Sequence, residues 1–290
     1  MMKVLITGAS GFTGSHLVKH LQQNPDLIIY CVNRNKLLDG SYVCELTNYE
    51  SVDNLIQEIQ PDQIYHLAGS FSNDYDIDYA NNVLTTKNIL DSLLKHQVSC
   101  RVLLIGSAAE YGLVKEEDNP VKEGQPLNPV SIYGLTKVYQ THLMNFYCQV
   151  RNLDIVMART FNLLGRNTSN HLFIGRVYQQ IEEYKKGKVD KIILGDLQSK
   201  RDYVEIQEAV ECYEKIMNYG NSGNVYNVGK GSSIRLSDLL KKVLAENHLS
   251  IDIVDSRMKN HTNKINVNDI FADLSKINII INSSLKSTGN

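Results

Sequence analysis

Three side chains of this sequence have the types and spacing needed to move a proton to or from a substrate oxygen. Tyr133 and Lys137 are four residues apart in the segment YGLTK, so they share a face if the segment is helical. A free phenol titrates near about 10, and a neighbouring ammonium lowers that pKa because it favours the phenolate. Ser107, in the segment IGSAAEYG, follows an apolar run and can donate a hydrogen bond to the same oxygen. A Tyr-x-x-x-Lys pair alone is common by chance, but with Ser107 it predicts an acid/base centre.

A glycine-rich turn near the start of the chain predicts a binding site for a dinucleotide. Gly8, Gly11 and Gly14 have the spacing G-x-x-G-x-x-G and directly follow the apolar run KVLIT. Glycine suits a tight turn whose backbone touches a pyrophosphate, and the unpaired N–H groups of the following helix favour an anion. Phe12 and Thr13, at the start of that helix, are predicted to contact the same cofactor. A glycine triplet by itself is a weak signal, but its place between a strand and a helix strengthens the prediction.

The end of the second apolar run bears on which dinucleotide binds. NAD sites usually carry Asp or Glu there to hold the ribose 2′-hydroxyl, whereas NADP sites offer an arginine. In this chain the run ends at Asn33 and Arg34, one uncharged and one cationic, which suits a 2′-phosphate. We therefore predict NADP(H), with NAD(H) as the alternative. A solvated loop arginine would give the same pattern.

The elements that must position these residues follow from the alternation of short apolar runs with longer amphipathic stretches. Strands that are apolar throughout and separated by helices are typical of a parallel sheet covered on both faces. The predicted fold is therefore α/β, a doubly wound Rossmann sheet with a smaller C-terminal substrate-binding α/β lobe. Ser107 would lie at the carboxyl edge of this sheet, where ligands bind in such folds. The predicted strands are 3–7, 27–32, 63–67, 101–106, 154–159 and 191–195, and the predicted helices are 13–23, 48–60, 79–97 and 133–151.

After about residue 160 this regular alternation loosens. We predict a cofactor-binding domain over residues 1–160 and a nucleotide-sugar-binding lobe over residues 161–290, interleaved with the end of the sheet. The helices predicted there are 172–186, 205–219 and 236–247, and the short strands include NVYNVG (224–229) and IDIVD (251–255).

Composition and charge exclude several classes of function. The formal net charge is -2 and no run of Lys or Arg is long enough to follow a nucleic-acid backbone, so no nucleic-acid partner is expected. No apolar stretch approaches the roughly 20 residues that span a bilayer, and no signal peptide is expected before the glycine turn. The 5 cysteines are scattered without disulfide or metal-ligand spacing, and no histidine pair of metal-ligand spacing occurs. These observations predict a cytoplasmic protein without a membrane contact or a metal site.

Further segments resemble the extended short-chain dehydrogenase/reductase family, which includes the NAD-dependent epimerases and dehydratases. The resemblance covers essentially the full chain. It implies that the protein acts on a nucleotide-linked sugar. Within the family, the segments around Tyr111, Arg159 and Arg201 are most similar to the reductases of GDP-4-keto-6-deoxymannose. The matching segments are TGASGFTG, PDQIYHLAG, NNVLTTKNIL, GSAAEYG, P-x-x-x-YGLTK, RTFNLLG, LGDLQSKRDYV and NVYNVG.

The resemblance implies roles for individual residues. Tyr133 would be the general acid/base, Lys137 would modulate it and anchor the cofactor ribose, and Ser107 would donate to the substrate oxygen. Asn82 would be a structural and cofactor-side contact. The other implied cofactor contacts are Glu45, Leu46, Leu67 and Ala68, and the implied substrate contacts are Asn162, Arg201 and Arg257.

The residue two before Tyr111 distinguishes the possible reactions. The resemblance implies an acid there in sugar 4,6-dehydratases and a cysteine in 3,5-epimerase-reductases, because both need a second proton-transfer group. Here it is Ala109, which transfers no proton, and its neighbour Glu110 is expected to contact substrate or to make a structural hydrogen bond. The prediction is an NADPH-dependent 4-keto reductase of an NDP-4-keto-6-deoxyhexose, with GDP as the first choice of nucleotide. A C4 epimerase with tightly bound NAD and a non-catalytic NADP(H)-binding Rossmann protein remain open.

Two expectations concern how the chain packs. By analogy with family members, helices 79–97 and 133–151 are expected to form a homodimer interface. His66, within a predicted strand, is expected to be a core histidine with a hydrogen-bond partner.

Overall fold

The computed structural model describes residues 1–35, 41–195, 197–256 and 267–287, and strands alternate with helices along much of that length. The strands are β1 Met2–Thr7, β2 Leu27–Asn33, β3 Tyr42–Val43, β4 Gln63–His66, β5 Arg101–Ser107, β6 Asp154–Thr160, β7 Asn162–Leu164, β8 Ile192–Ile193, β9 Lys200–Glu205, β10 Val225–Val228, β11 Ser233–Arg235, β12 Val254–Asp255 and β13 Asp269–Ile270. The helices are α1 Phe12–Leu21, α2 Tyr49–Ile59, α3 Tyr75–Asp78, α4 Thr85–Lys95, α5 Ile132–Arg151, α6 Phe173–Lys185, α7 Ile206–Tyr219, α8 Leu236–Glu246 and α9 Ser275–Ser287.

Seven of these strands form one sheet in the spatial order β10-β6-β5-β4-β1-β2-β3. Every neighbouring pair in it is parallel. The strand order reverses at the junction of β1 and β4, because β2 and β3 extend from one side of β1 and the later strands from the other. Ligands of open α/β sheets bind at the carboxyl ends of the strands at such a reversal. The predicted doubly wound α/β fold is confirmed.

Helices cover both faces of this sheet, which is why its strands are apolar on both sides. In β1, Val4 and Ile6 pack in the cluster that contains Leu17 of α1, while Leu5 packs in the opposite cluster with Leu90 of α4. On the first face α7 contacts both α1 and α9, and on the second face α4 contacts both α2 and α5. The alternation of side chains along a strand therefore produces one core on each side of the sheet.

The smaller lobe is built around β9, which pairs with β7, β11 and β13. Helices α6 and α8 pack together through a cluster that includes Ile174, Val177, Leu240 and Val243. This lobe is continuous with the main sheet, because β7 follows β6 after one residue and β9 leads directly into α7.

The later apolar runs differ in which sheet they join. The run 191–195, predicted as a strand of the main sheet, forms only β8, which pairs with β12 outside that sheet. The run 224–229, predicted in the region where the lobe interleaves with the end of the sheet, forms β10 and pairs with β6 at the edge of the main sheet. Much of the run 251–255 is a 3-10 turn at Ile251–Ile253 before β12. Apolar composition marks a strand, but contacts far along the chain decide which sheet it joins.

The predicted helix 79–97 is not a regular α-helix throughout. A π-helical segment, Tyr79–Leu84, joins α3 to α4, and α4 ends at Lys95. The Thr85 hydroxyl donates to the Asn81 carbonyl at 2.6 Å, and the Thr86 hydroxyl donates to the Asn82 carbonyl at 2.8 Å, so side chains satisfy carbonyls in the widened turn. Such π segments are frequent at functional sites.

Candidate active site

The turn between β1 and α1 is tight because its three glycines leave room only for backbone. Gly8 has φ +67° and its N–H donates to the Val32 carbonyl at 3.0 Å. A Cβ on Gly14 would lie 2.2 Å from the Gly8 carbonyl oxygen, so only glycine fits there. Gly11 is the N-cap of α1 and has no side chain to cap the helix. The N–H groups at the start of α1 are therefore available to an anion.

Asn33, at the end of β2, lies beside this turn. Its Oδ1 accepts a hydrogen bond from the Ser10 backbone N–H at 2.9 Å. Its Nδ2 is buried and has no hydrogen-bond partner among the described residues. A buried donor without a partner is costly, and a ligand oxygen at this point would satisfy it.

Arg34 follows Asn33 and is held at the surface by two partners. Its Nε lies 3.2 Å from Oε2 of Glu45, and its Nη2 donates to Oδ1 of Asn81 at 2.7 Å. The side chain is nevertheless 63% exposed, so the guanidinium is accessible from solvent. Glu45, which the resemblance assigned to the cofactor, contacts Arg34 and orients it.

Three other predicted cofactor residues differ in their surroundings. Leu67 lines the cleft described below. The Ala68 N–H donates to the Thr7 hydroxyl at 3.2 Å, and a Cβ on Gly8 would come within 2.9 Å of the Ala68 nitrogen. Leu46 is buried in the core, and its carbonyl accepts from Nδ2 of Asn88 at 2.9 Å. Direct cofactor contacts of Ala68 and Leu46 remain predictions.

Ser107, Tyr133 and Lys137 are brought together at the carboxyl edge of the sheet. Ser107 is the last residue of β5, and its side chain is close enough to Tyr133 to lower the pKa of the phenol. Tyr133 lies in the first turn of α5, which Ser131 caps by accepting from the Gly134 N–H at 3.0 Å. The Lys137 ammonium lies one turn further along and is 5.8 Å from the centre of the Tyr133 ring.

Lys137 is fixed by hydrogen bonds from both sides. Its Nζ donates to the Ile105 carbonyl at 2.9 Å and to Oε1 of Gln140 at 3.1 Å. Gln140 in turn donates to the Thr86 hydroxyl at 2.8 Å. Gln140 was not predicted, although its spacing of three residues from Lys137 on a helix could have indicated it.

Burial changes the acid/base properties of both groups. It raises the pKa of Tyr133 to about 12 because the phenolate is disfavoured; the nearby Ser107 side chain opposes the rise, and the charges of Glu110 and Asp78 add to it. Burial lowers the pKa of Lys137 to about 8, against the attraction of Glu110 and Asp78. The sequence predicted that the pKa of Tyr133 is lowered. In the chain alone it is raised, so that prediction is wrong. The phenol stays protonated at neutral pH.

Asn82 and Asp78 hold the loop that follows β4. Asn82 is fully buried; its Oδ1 accepts from the Ser70 N–H at 2.9 Å and its Nδ2 donates to the Ser70 carbonyl at 3.0 Å. Asp78 accepts from the Ser70 hydroxyl at 2.7 Å and from the Ser72 N–H at 2.9 Å. This loop carries Phe71, whose ring packs edge-on against Tyr133 at 4.8 Å. Neither Phe71 nor Asp78 was predicted, because the loop carries no motif.

Glu110 was predicted among the substrate contacts, and the structure corrects that prediction. Its side chain is completely buried behind the 107–110 turn. Its Oε1 accepts from the Ser107 N–H at 2.7 Å, and its Oε2 pairs with Nη2 of Arg159 at 2.9 Å. The alternative, a structural hydrogen bond, is what the structure shows. The buried cation that Glu110 requires is supplied by a distant strand, which spacing in the sequence does not reveal.

On the lobe side, two of the three predicted substrate contacts reach the cleft. Asn162 lines it and donates from Nδ2 to the Asp202 carbonyl at 2.9 Å. Arg201 lines it and donates from Nη1 to the Lys200 carbonyl at 2.7 Å. Arg257 lies outside the described residues. His171 and Tyr203 also line the cleft and were not predicted.

These groups surround one cleft of about 820 Å³ between the sheet edge and the lobe. No carboxylate and no thiol belongs to its lining in the described part of the chain, whereas Lys137, Arg201 and His171 do. Such a lining favours an anionic ligand. The predicted site residues that line it are Gly8, Gly11, Phe12, Thr13, Gly14, Leu67, Asn82, Ser107, Tyr133, Lys137, Asn162 and Arg201.

The described residues contain no group of three or more His, Cys, Asp or Glu side chains that could hold a metal ion. None of the helices in the described ranges is long and apolar enough to cross a membrane. His66 is buried, with Nδ1 2.8 Å from the Thr7 hydroxyl, so the predicted core histidine with a partner is confirmed.

Comparison with known protein families gives one match over most of the chain. The sequence pattern of the NAD dependent epimerase/dehydratase family matches residues 4–229. This span begins in β1 and ends just after β10, so it includes the glycine turn and the Ser107, Tyr133 and Lys137 centre.

Individual relatives are similar over most of their length. A GDP-6-deoxy-D-mannose reductase of Pseudomonas aeruginosa is 27% identical over 260 residues, 87% of this chain and 82% of the relative. A GDP-6-deoxy-D-talose 4-dehydrogenase of Aggregatibacter actinomycetemcomitans is 29% identical over 220 residues, 74% of this chain and 70% of the relative. The RMD protein of Pseudomonas aeruginosa, solved in complex with NADPH, has a TM-score of 0.85 over 97% of this chain and 92% of its own, with 23% identity. This last likeness shows the fold.

Proposed function

The chain belongs to the NAD dependent epimerase/dehydratase family, and on that premise we propose that it reduces the 4-keto group of an NDP-4-keto-6-deoxyhexose with NADPH. The family match also confirms the resemblance to the extended short-chain dehydrogenases, and with it an NAD(P)-dependent oxidoreductase. GDP-4-keto-6-deoxymannose is the first substrate to test, because a relative similar over most of the chain is a GDP-6-deoxy-D-mannose reductase.

One observation carries the choice of reaction. Ser107, Tyr133 and Lys137 line the cleft together, Ala109 stands two before Tyr111, and no carboxylate or thiol lines the cleft in the part of the chain described. A reduction needs one proton, which Tyr133 can supply. Dehydration or epimerisation beside the carbonyl needs a second proton-transfer group, for which Ala109 offers nothing.

The chain's own residues provide binding, orientation and a proton. Bound NADPH supplies the hydride that reduces the carbonyl carbon. The Ser107 hydroxyl donates a hydrogen bond to the carbonyl oxygen, and the Tyr133 phenol transfers its proton to that oxygen, so the product carries a 4-hydroxyl. The raised pKa of Tyr133 suits this direction, because the phenol is protonated when substrate arrives. Lys137 lies close enough to balance the negative charge left on Tyr133.

The residues around the glycine turn fit NADP(H). The glycine cradle admits a pyrophosphate against the start of α1, and the unpartnered Nδ2 of Asn33 offers a donor beside it. The exposed Arg34 guanidinium suits a 2′-phosphate. NAD(H) is the alternative cofactor, and it would accompany C4 epimerisation by the same three catalytic residues.

On the substrate side, we assign the sugar-nucleotide diphosphate to the part of the cleft that Asn162 and Arg201 line. Arg201 is a cation and Asn162 an amide donor, which together suit phosphate oxygens. The first turn of α1 lies on the sheet side of the same cleft, as do Ser107, Tyr133 and Lys137. The reacting sugar would therefore lie between these three residues and the diphosphate.

We also propose that the protein is a homodimer through the elements predicted as helices 79–97 and 133–151. Large apolar side chains are exposed on or beside these elements: Tyr75, Ile77, Tyr79, Phe146 and Val150. Exposed apolar groups favour an interface where they form one contiguous patch.

The 5 cysteines are free thiols, which suits a reducing compartment, and we propose the cytoplasm.

The reaction can be tested with a panel of GDP-, dTDP- and UDP-linked 4-keto-6-deoxyhexoses, measuring NADPH oxidation and identifying the products. In deuterated water, a simple reductase places no solvent deuterium on C3 or C5. Deuterium on either carbon would reject the proposal in favour of an epimerase-reductase. Interconversion of two 4-hydroxy sugars without net NADPH consumption would identify a C4 epimerase. NADPH binding without turnover of any sugar would favour the non-catalytic alternative.

A further inference from the structure

The buried carboxylate of Glu110 makes more contacts than the 3-10 turn Ala108–Glu110 needs. Its Oε1 accepts from the Ser107 N–H at 2.7 Å. Its Oε2 accepts from the Thr141 hydroxyl at 2.6 Å and from Nε and Nη2 of Arg159 at 3.1 and 2.9 Å. The carboxylate therefore joins the end of β5, which carries Ser107, to α5 and β6.

Space for this carboxylate is kept by a residue that has no side chain. A Cβ on Gly106 would lie 2.6 Å from Oε1 of Glu110. Any larger residue at position 106 would push the carboxylate away from Ser107. The Gly-Ser sequence at the end of β5 thus accommodates Glu110 as well as presenting the Ser107 hydroxyl.

Arg159 extends these contacts away from the cleft. It is 1% exposed, its guanidinium lies 4.8 Å from the centre of the Tyr111 ring, and its Nη1 donates to the Glu123 carbonyl at 3.3 Å. The Tyr111 hydroxyl donates to Oδ1 of Asn227 in β10 at 2.6 Å. The pair therefore joins β5 and β6 and is linked through Tyr111 to β10.

A buried ion pair is a poor way to gain stability, because desolvating both charges offsets their attraction. A buried ion pair beside a reactive centre therefore indicates a role other than stability. We propose that Glu110 and Arg159 form a positioning pair for the catalytic centre: the carboxylate holds the Ser107 backbone and keeps a negative charge near Lys137, a role that rests on the proposed function.

The charge has a measurable consequence at Lys137. The titratable groups around Lys137 are Glu110 and Asp78, which raise its pKa, the protonated phenol of Tyr133, and neutral His66, whose own pKa is lowered by burial and then by the ammonium. Burial lowers the Lys137 pKa to about 8, so the ammonium is lost as pH rises through that value. NADPH affinity should fall over the same range, because the cofactor is anionic. Removing the Glu110 charge should move this fall to lower pH.

The test compares Glu110→Gln with wild type and with Tyr111→Phe, which removes a buried hydrogen bond from the same network and leaves the charge. NADPH dissociation constants are measured from pH 6 to about 10 by cofactor fluorescence, and amide exchange is measured for the peptide containing Ser107. For Glu110→Gln we expect NADPH affinity to fall at a pH about 1 unit lower than in wild type. The reason is that losing a neighbouring opposite charge lowers the Lys137 pKa. Ser107 amide exchange should be several-fold faster, and kcat should fall more than KM changes. Tyr111→Phe should keep the wild-type pH profile.

Glu110→Gln leaves the Arg159 charge buried without a partner, so a second variant, Glu110→Gln with Arg159→Met, removes both charges. A folded form of either variant with the wild-type pH profile and wild-type exchange at Ser107 would overturn the proposal and leave the pair as structural support. The profile and the exchange rate are measured without sugar substrate. A failure of the proposed reaction, seen as no turnover by the wild type, is therefore distinguishable from a failure of this inference.

Discussion

At the scale of single residues, the chemistry depends on burial as much as on residue type. Tyr133 is a phenol whose pKa is raised to about 12, and Lys137 is an amine whose pKa is lowered to about 8. Both shifts have burial as their largest cause, because a charged group loses solvation inside the protein. At neutral pH the pair is a neutral acid beside a cation. That combination suits donating a proton to a carbonyl oxygen and then stabilising the phenolate that remains.

Replacing Tyr133 by Phe removes the proton donor and leaves the ring against Phe71. We expect kcat to fall by roughly 10²–10⁴-fold, with NADPH affinity nearly unchanged. Single-turnover NADPH oxidation and fluorescence titration measure the two quantities. Tyr219→Phe is the matched control, because Tyr219 is an exposed tyrosine of α7 outside the cleft lining. Near-normal turnover by the Tyr133 variant on an established substrate would reject its role as the proton donor.

Replacing Arg34 by Ala should weaken NADPH binding more than NADH binding, because only NADPH offers a 2′-phosphate to the guanidinium. The loss of one charge-assisted contact costs about 1.5–3 kcal/mol, or roughly 10- to 100-fold in the dissociation constant. Calorimetric titration with both cofactors measures the difference, and NADH serves as the internal control. Equal losses for the two cofactors would show that Arg34 only pairs with Glu45 and Asn81.

At the scale of elements, the turn from β1 to α1 and the end of β5 are the two segments that the chemistry constrains most. In the first segment a Cβ on Gly14 would meet a backbone carbonyl, and in the second a Cβ on Gly106 would meet a carboxylate. The π-helical segment before α4 places Asn82 under the loop that carries Phe71. Each of these elements therefore has either a glycine or an irregular helical turn at the point where it places a group at the cleft.

Gly14→Ala tests the first of these constraints. The added Cβ would lie 2.2 Å from the Gly8 carbonyl, so α1 must shift away from the turn. Overpacking of this kind costs about 1–3 kcal/mol, and we expect NADPH binding to weaken as the cradle opens. Urea unfolding and cofactor titration measure the two effects. Gly124→Ala is the control, since no atom lies within 4 Å of its added Cβ. Equal behaviour of the two variants would contradict the close-packed turn.

At the scale of the whole molecule, the proposed dimer gives a prediction that does not depend on the reaction. Phe146 is exposed on α5, and an aromatic side chain that forms a hot spot of an interface contributes about 2 kcal/mol or more. Phe146→Asp should therefore shift the protein from dimer to monomer in sedimentation velocity at micromolar concentration. Tyr219→Asp makes a similar change on the exposed face of α7 and should leave the association state unchanged. A wild-type protein that sediments as a monomer would reject the interface.

The sequence alone determined the fold class, and it predicted the centre formed by Ser107, Tyr133 and Lys137, because both depend on local order along the chain. Apolar runs separated by amphipathic stretches predict a parallel sheet, and β1, β2, β4, β5 and β6 lie where the runs predict them. The glycine turn, Ser107 and the Tyr133–Lys137 spacing are each contained in a few residues. Their meeting at one edge follows from the parallel order of the strands, which carries the carboxyl ends to the same side.

The tertiary structure decided the features that depend on partners far apart in the sequence. Glu110 became a buried partner of Arg159, 49 residues away, and not a substrate contact. The edge strand β10 joined β6 across more than sixty intervening residues. The pKa of Tyr133 rose because burial, together with the charges of Glu110 and Asp78, outweighed the opposing effect of Ser107. Burial and long-range pairing arise only when the chain is folded, since they depend on which surfaces meet and not on which residues are adjacent.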